Sequence, residues 1–211
     1  MIDAGIEKGD RIAAYMPNMP ETIYVALAAA ALGAIFSSAS PDFGVGGVTD
    51  RFGQTAPKLM FTVDHYYYGG KILDQREKLA QIILALPSLQ KTIIVPYMDG
   101  DQDIADLPNT VTLDAFTAAY DVRDIVYSRV DFNHPLYIMF SSGTTGAPKC
   151  IVHGHGGTLL QHVKELSLHC DMGKDDRVFY FTTCGWMMWN WLISALAVEA
   201  TVLLYDGSPF H

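Results

Sequence analysis

The 211 residues carry a formal charge of −9, half of them are hydrophobic and only 18% are charged. That balance excludes a disordered chain and leaves room for one large domain or two small ones with a real core. The acidic excess argues against a general nucleic-acid binder and gives no basic face for an anionic membrane. The longest apolar run, residues 25–36, is alanine-rich and too short to span a bilayer, so no membrane span is expected. No secretory leader is expected either, since Asp3, Glu7 and Asp10 precede any apolar stretch.

Residues 11–16 read as a strand ended by Pro17-Asn18-Met19-Pro20, and 21–33 as a helix rich in small residues that stops at Gly33. A short strand is expected at 35–38 and a helix at 45–55, closed by Pro57. In 58–63 the apolar residues are continuous enough for a strand buried on both faces. Ile72, Leu79, Ile83 and Leu86 fall on one helical stripe, which predicts a helix over 72–86 ended by Pro87. A strand at 92–95, an acidic surface loop over 99–109 and a short helix at 114–120 follow. Three more strands are expected at 136–140, 178–182 and 201–205, with helices at 157–169 and 186–198 after the first two. Strands alternating with helices of this length imply parallel βαβ units. The fold class is therefore α/β with a doubly wound, largely parallel sheet, without repeats or an obvious linker.

Cys150, Cys170 and Cys184 are odd in number, widely spaced and without a Cys-x-x-Cys pair, which points to free thiols in a reducing compartment. His153, His155, His162 and Cys150 offer a nominal zinc set, but the spacing matches no common structural site, so no metal site is expected and packed imidazoles are the plainer explanation.

The most informative stretch is Phe140-Ser141-Ser142-Gly143-Thr144-Thr145-Gly146-Ala147-Pro148-Lys149. An apolar strand delivers the chain into a loop of hydroxyls and glycines that ends in a lysine. Such a loop suits a triphosphate: glycines admit close backbone approach, N–H and hydroxyl groups donate to phosphate oxygens, and lysine offsets charge. It is not a Walker A loop, because proline precedes the lysine and Cys150 follows it. A serine- and glycine-rich surface loop with a chance lysine is the plainer alternative.

This loop resembles the Ser/Thr-Gly-Ser/Thr-Thr-Gly-x-Pro-Lys motif of the adenylate-forming superfamily of acyl-CoA synthetases, luciferases and peptide-synthetase adenylation domains. Within that superfamily the chain is most similar to the acetoacetyl-CoA synthetase family. The residues that carry this likeness are Ser37-Ser38-Ala39-Ser40-Pro41-Asp42-Phe43-Gly44, Phe140 to Cys150, Thr182-Thr183-Cys184-Gly185-Trp186-Met187-Met188-Trp189-Asn190-Trp191 and Leu204-Tyr205-Asp206-Gly207-Ser208-Pro209. The resemblance implies ATP, Mg2+ and CoA as cofactor and co-substrates, acetoacetate as the acid, and a cytosolic place in ketone-body and lipid metabolism. It implies that Ser141, Ser142, Gly143, Thr144, Thr145, Gly146 and Lys149 hold the ATP phosphates.

The same resemblance places Trp186, Met187, Met188 and Trp189 in the wall of the acyl pocket, although an aromatic stripe facing the core reads equally well. Asn190 is a candidate donor to the second carbonyl of the acid. Tyr68, Gly69, Gly70 and Lys71 stand where acetyl-CoA synthetases carry an arginine-glycine-glycine-arginine contact to CoA; a glycine turn with exposed tyrosines is the alternative. Ser37-Ser38 replaces a glycine pair near the CoA thiol path of those enzymes, and Glu199 stands where glycine is usual, so strain is expected at that turn. The family's ribose- and adenine-binding segments and its catalytic lysine have no match in these residues. The expectation is therefore a partial N-terminal domain that contains no catalytic lysine and makes no acetoacetyl-CoA alone. A ligase for another short acid, of acetyl or propionyl type, and a non-catalytic binding module are the alternatives.

Overall fold

The structure is a computed structural model that describes residues 1–98, 104–141 and 146–208. A turn of 3-10 helix (Ile2–Ala4) leads into β1 (Arg11–Tyr15), α1 (Pro20–Leu32), β2 (Ile35–Ala39), α2 (Val45–Thr55) and β3 (Leu59–Val63). A hairpin of β4 (His65–Tyr68) and β5 (Lys71–Asp74) follows, then α3 (Arg76–Ala85), β6 (Lys91–Val95), β7 (Thr110–Thr112) and α4 (Leu113–Thr117). The remainder holds β8 (Pro135–Phe140), β9 (Cys150–Gly154), α5 (His155–Lys164) with a π-helical turn (Glu165–His169), and β10 (Arg177–Val178). It continues through α6 (Met187–Ile193) with a 3-10 turn (Ser194–Val198) to β11 (Thr201–Val202).

Among the described residues seven strands form one sheet in the order β7-β6-β3-β1-β2-β8-β9, parallel except for the antiparallel β8–β9 pair. This is the doubly wound, largely parallel sheet that the alternation predicted. Central β1 shows why: Ile12 and Ala14, with Met16 just past the strand's end, enter one core with Ile23 and Ala29 of α1, while Ala13 and Tyr15 enter the other with Val48, Phe52 and Leu79 of α2 and α3. A strand buried on both faces has to be apolar throughout, with successive side chains feeding opposite layers. Each large side chain so buried contributes about 1.5–3 kcal/mol. Gly33 ends α1 in the left-handed region at φ 68°, where its N–H donates to the Ala29 and Ala30 carbonyls.

Four expectations need correction. The helix expected over 72–86 is instead a β4–β5 hairpin followed by α3, and Ile72, counted on the helical stripe, lies in β5 and is 48% exposed. The cause is Gly69-Gly70, whose φ values of 57° and 70° make a two-residue turn that pairs Tyr68 with Lys71. The strands expected at 178–182 and 201–205 shrink to two residues each and pair only with one another. Antiparallel β9 takes the place beside β8 that they would need. The helices expected at 157–169 and 186–198 lose their α geometry after Lys164 and Ile193, continuing as π and 3-10 turns. Finally, β7 and β9 were not foreseen at all. Part of the acidic loop expected over 99–109, residues 99–103, lies outside the described residues.

Candidate functional site

The hydroxyl-glycine loop joins β8 to β9 at the carboxyl edge of the parallel strands, where doubly wound sheets bind ligands. Its base is closed reciprocally: the Ser141 N–H donates to the Lys149 carbonyl at 3.0 Å, and the Lys149 N–H donates to Ser141 Oγ at 3.0 Å. Lys149 is exposed and Pro148 beside it is buried. Gly146 lies exposed on the same loop, while Ser142, Gly143, Thr144 and Thr145 lie outside the described residues. Helix α2 supports both ends. Arg51 stacks its guanidinium 4.7 Å from the Phe43 ring and 5.9 Å from that of Phe140, and Gln54 Nε2–H donates to the Pro148 carbonyl at 2.8 Å. Burial lowers the Arg51 pKa from its ordinary value.

Next to the loop, β2, β8 and the segment before α6 enclose a void of about 10 Å³ lined by Ser37, Ser38, Met139, Phe140, Gly185 and Asn190. Ser38 Oγ donates to the Cys184 carbonyl at 2.6 Å, which pins that segment to the end of β2. Gly185 eases the approach, since a Cβ there would stand 3.1 Å from the Phe43 ring and 3.4 Å from the Ser40 nitrogen. Asn190 is buried, and its Nδ2 makes only a long 3.9 Å contact to Met139 Sδ.

The tryptophan-methionine run divides. Trp189 is 0% exposed, stacks 6.0 Å from Phe36 and donates its indole N–H to Asn18 Oδ1 at 2.9 Å, so it belongs to the core. Trp186 and Met187 are 62% and 46% exposed just after Gly185, and Met188 is half-buried.

Tyr68, Gly69, Gly70 and Lys71 form the tip of the β4–β5 hairpin, with Tyr68 and Lys71 exposed. The hairpin is docked through Asp206, an anchor that local spacing in the sequence does not reveal. Tyr97 Oη–H donates to Asp206 Oδ2 at 2.6 Å, and the Tyr67 and Tyr97 rings meet at 5.6 Å. Burial pushes the Asp206 carboxyl above its ordinary value, opposed by the Tyr97 hydroxyl and the Gly207 and Tyr67 N–H donors, while Asp42 adds to the rise.

The histidines are engaged separately. The His153 ring lies 5.1 Å from Tyr137, that of His155 lies 5.6 Å from His134, and His162 shares a 2.7 Å hydrogen bond with Ser194. Burial lowers the pKa of both His155 and His162. Among the described residues no three His, Cys, Asp or Glu side chains converge on a metal-sized site.

A largely parallel sheet whose carboxyl edge carries a loop ending in lysine has the form of a ligand site in a doubly wound fold. The chain belongs to the AMP-binding enzyme family, whose profile matches residues 1–211. It is 57% identical over 207 residues to the acetoacetyl-coenzyme A synthetase of Rhizobium meliloti (strain 1021), covering 98% of this chain and 32% of that protein. Against the acetoacetyl-CoA synthetase of Mus musculus it is 51% identical over 210 residues, covering 97% of this chain and 31% of the relative. The solved structure of acetoacetyl-CoA synthetase from Streptomyces lividans superposes with a TM-score of 0.92 at 44% identity, over 99% of this chain and 31% of that one. The chain thus spans under a third of the length of these curated relatives.

Proposed function

We propose that residues 1–211 are part of the N-terminal AMP-binding domain of an acetoacetate–CoA ligase, supplying its phosphate loop and part of its acyl and CoA surfaces. The observation that carries this reading is the Ser141–Lys149 closure at the sheet's carboxyl edge, in a chain 57% identical to an acetoacetyl-coenzyme A synthetase. The acid's carboxylate attacks the α-phosphorus of ATP, breaking its bond to pyrophosphate, and the CoA thiol then displaces AMP from the acyl-adenylate. Lys149 and the loop donors offset charge on the departing pyrophosphate. Magnesium would take most of its ligands from the phosphates, since the described residues hold no acidic cage for it, and no step here depends on it. Trp186, Met187 and Met188 border the acid, while Trp189 fixes their helix from the core. Tyr68 and Lys71, at the hairpin tip, meet the nucleotide end of CoA through ring stacking and charge. Three free thiols and no helix, among the described residues, long and apolar enough to cross a membrane accord with a cytosolic place.

A second reading, a ligase for another short acid, is supported by 44% identity over 214 residues to the malonamoyl-CoA synthetase vrtB of Penicillium aethiopicum. The test exchanges this chain for the matching segment of the Rhizobium meliloti synthetase and measures AMP formation with acetoacetate, malonamate, acetate and propionate. Acetoacetate should give the highest kcat/KM, and Lys149→Met should abolish turnover. Preference for another acid establishes the second reading, and a folded but inactive hybrid indicates a binding module. The 211 residues alone should form no AMP.

A further inference from the structure

Gln54 sits at the carboxyl end of α2, and its carboxamide reaches the exit of the loop 94 residues away in sequence. Nε2–H donates to the Pro148 carbonyl at 2.8 Å, and Oε1 accepts the Cys150 thiol at 3.6 Å. These two contacts fall on the residues directly before and after Lys149. The same Nε2 donates to the Asp50 carbonyl at 2.6 Å, which ties the side chain back to its own helix. From the opposite side, Ser141 holds both the N–H and the carbonyl of Lys149. The lysine backbone is therefore gripped from two elements while its side chain stands in solvent.

We propose that Gln54 is a positioning residue for Lys149, fixing the backbone from which the ammonium is presented to a polyphosphate. The inference rests on the reading of residues 141–149 as the phosphate loop. Lysine has a long flexible stem, and a wandering base would add to the ordering cost that binding must overcome. Glutamine suits the task because one planar group offers a donor to the carbonyl and an acceptor to the thiol. Glutamate keeps the length but loses the donor, and alanine loses both contacts.

The test uses the Rhizobium meliloti synthetase carrying this chain in place of its matching segment. Gln54→Ala and Gln54→Glu should each raise the KM for ATP about fivefold, the net worth of one hydrogen bond, with the KM for acetoacetate unchanged. A KM for ATP within twofold of the parent, with only Tm lowered, overturns the proposal. Lys149→Met sets the scale: if it leaves the KM for ATP and turnover unaltered, the phosphate-loop reading fails and takes this inference with it. If Lys149→Met is damaging and the Gln54 variants are silent, the positioning role alone is wrong.

A second readout needs no turnover. In the 211-residue chain with Cys170→Ser, Cys184 is buried and Cys150 is the accessible thiol. Gln54→Ala should speed its reaction with a disulfide reagent at least threefold, because the thiol loses its acceptor and the loop exit loosens. An unchanged rate overturns the proposal independently of the hybrid enzyme.

Discussion

Trp189→Phe separates the buried from the exposed side chains within a single run of aromatic residues. The indole N–H donates to Asn18 Oδ1 in a fully buried site, and Asn18 in turn donates from Nδ2 to the Tyr205 carbonyl at 3.3 Å. Phenylalanine preserves a ring against Phe36 but leaves the Asn18 oxygen without its donor, which costs about 1–3 kcal/mol. The void left by the smaller ring adds on the order of 1 kcal/mol. The expected loss is therefore about 2–4 kcal/mol, a large part of the stability of an ordinary domain. Trp186→Ala removes a side chain that is 62% exposed and should move stability by less than about 0.5 kcal/mol. Urea denaturation followed by far-UV circular dichroism measures both. If Trp189→Phe is as mild as Trp186→Ala, the division of this run between core and surface is wrong.

Glu199 occupies the left-handed region at φ 62°, a conformation that costs an ordinary residue about 1–2 kcal/mol, offset for glycine by about 0.4–1 kcal/mol of unfolded-state entropy. Glu199→Gly should accordingly raise Tm by about 1–4 °C and Glu199→Ala should not; equal melting of the two variants would contradict this. Asp206 retains its proton in the native state above the ordinary value of 3.8, so in that window the unfolded chain binds fewer protons and stability falls as pH rises. Asp206→Asn should remove that fall, and its stability relative to wild type should grow from about pH 4 upward; parallel pH profiles would refute the assignment. Met187→Ala with Met188→Ala, in the hybrid synthetase, should shift relative kcat/KM among short acids. Unaltered ratios would refute the proposed bordering of the acid by both methionines.

Much of the fold is legible in residue order because its cause is local. The run of Leu59, Met60, Phe61 and Val63 requires a strand covered on both faces, and Gly33 supplies the left-handed stop that α1 uses. The stripe of Ile72, Leu79, Ile83 and Leu86 misled for a related reason. Spacing records which residues share a helical face but not whether a competing hairpin captures the first of them, and Gly69-Gly70 decided that through cross-strand pairing. The antiparallel turn back into β9 escaped because five residues between a loop and a helix carry no period of their own.

The amino-acid sequence by itself determined the strand–helix alternation and the set of hydroxyl, glycine and lysine residue types in the 140–149 loop, since both depend on near neighbours and on residue type. Tertiary structure alone decided that Trp189 is core while Trp186 is exposed, that Asp206 anchors the hairpin, and that Gln54 brackets Lys149. Those outcomes depend on which distant segments meet across the sheet. Burial and hydrogen-bond partnership belong to that meeting, and no local pattern of residues encodes it.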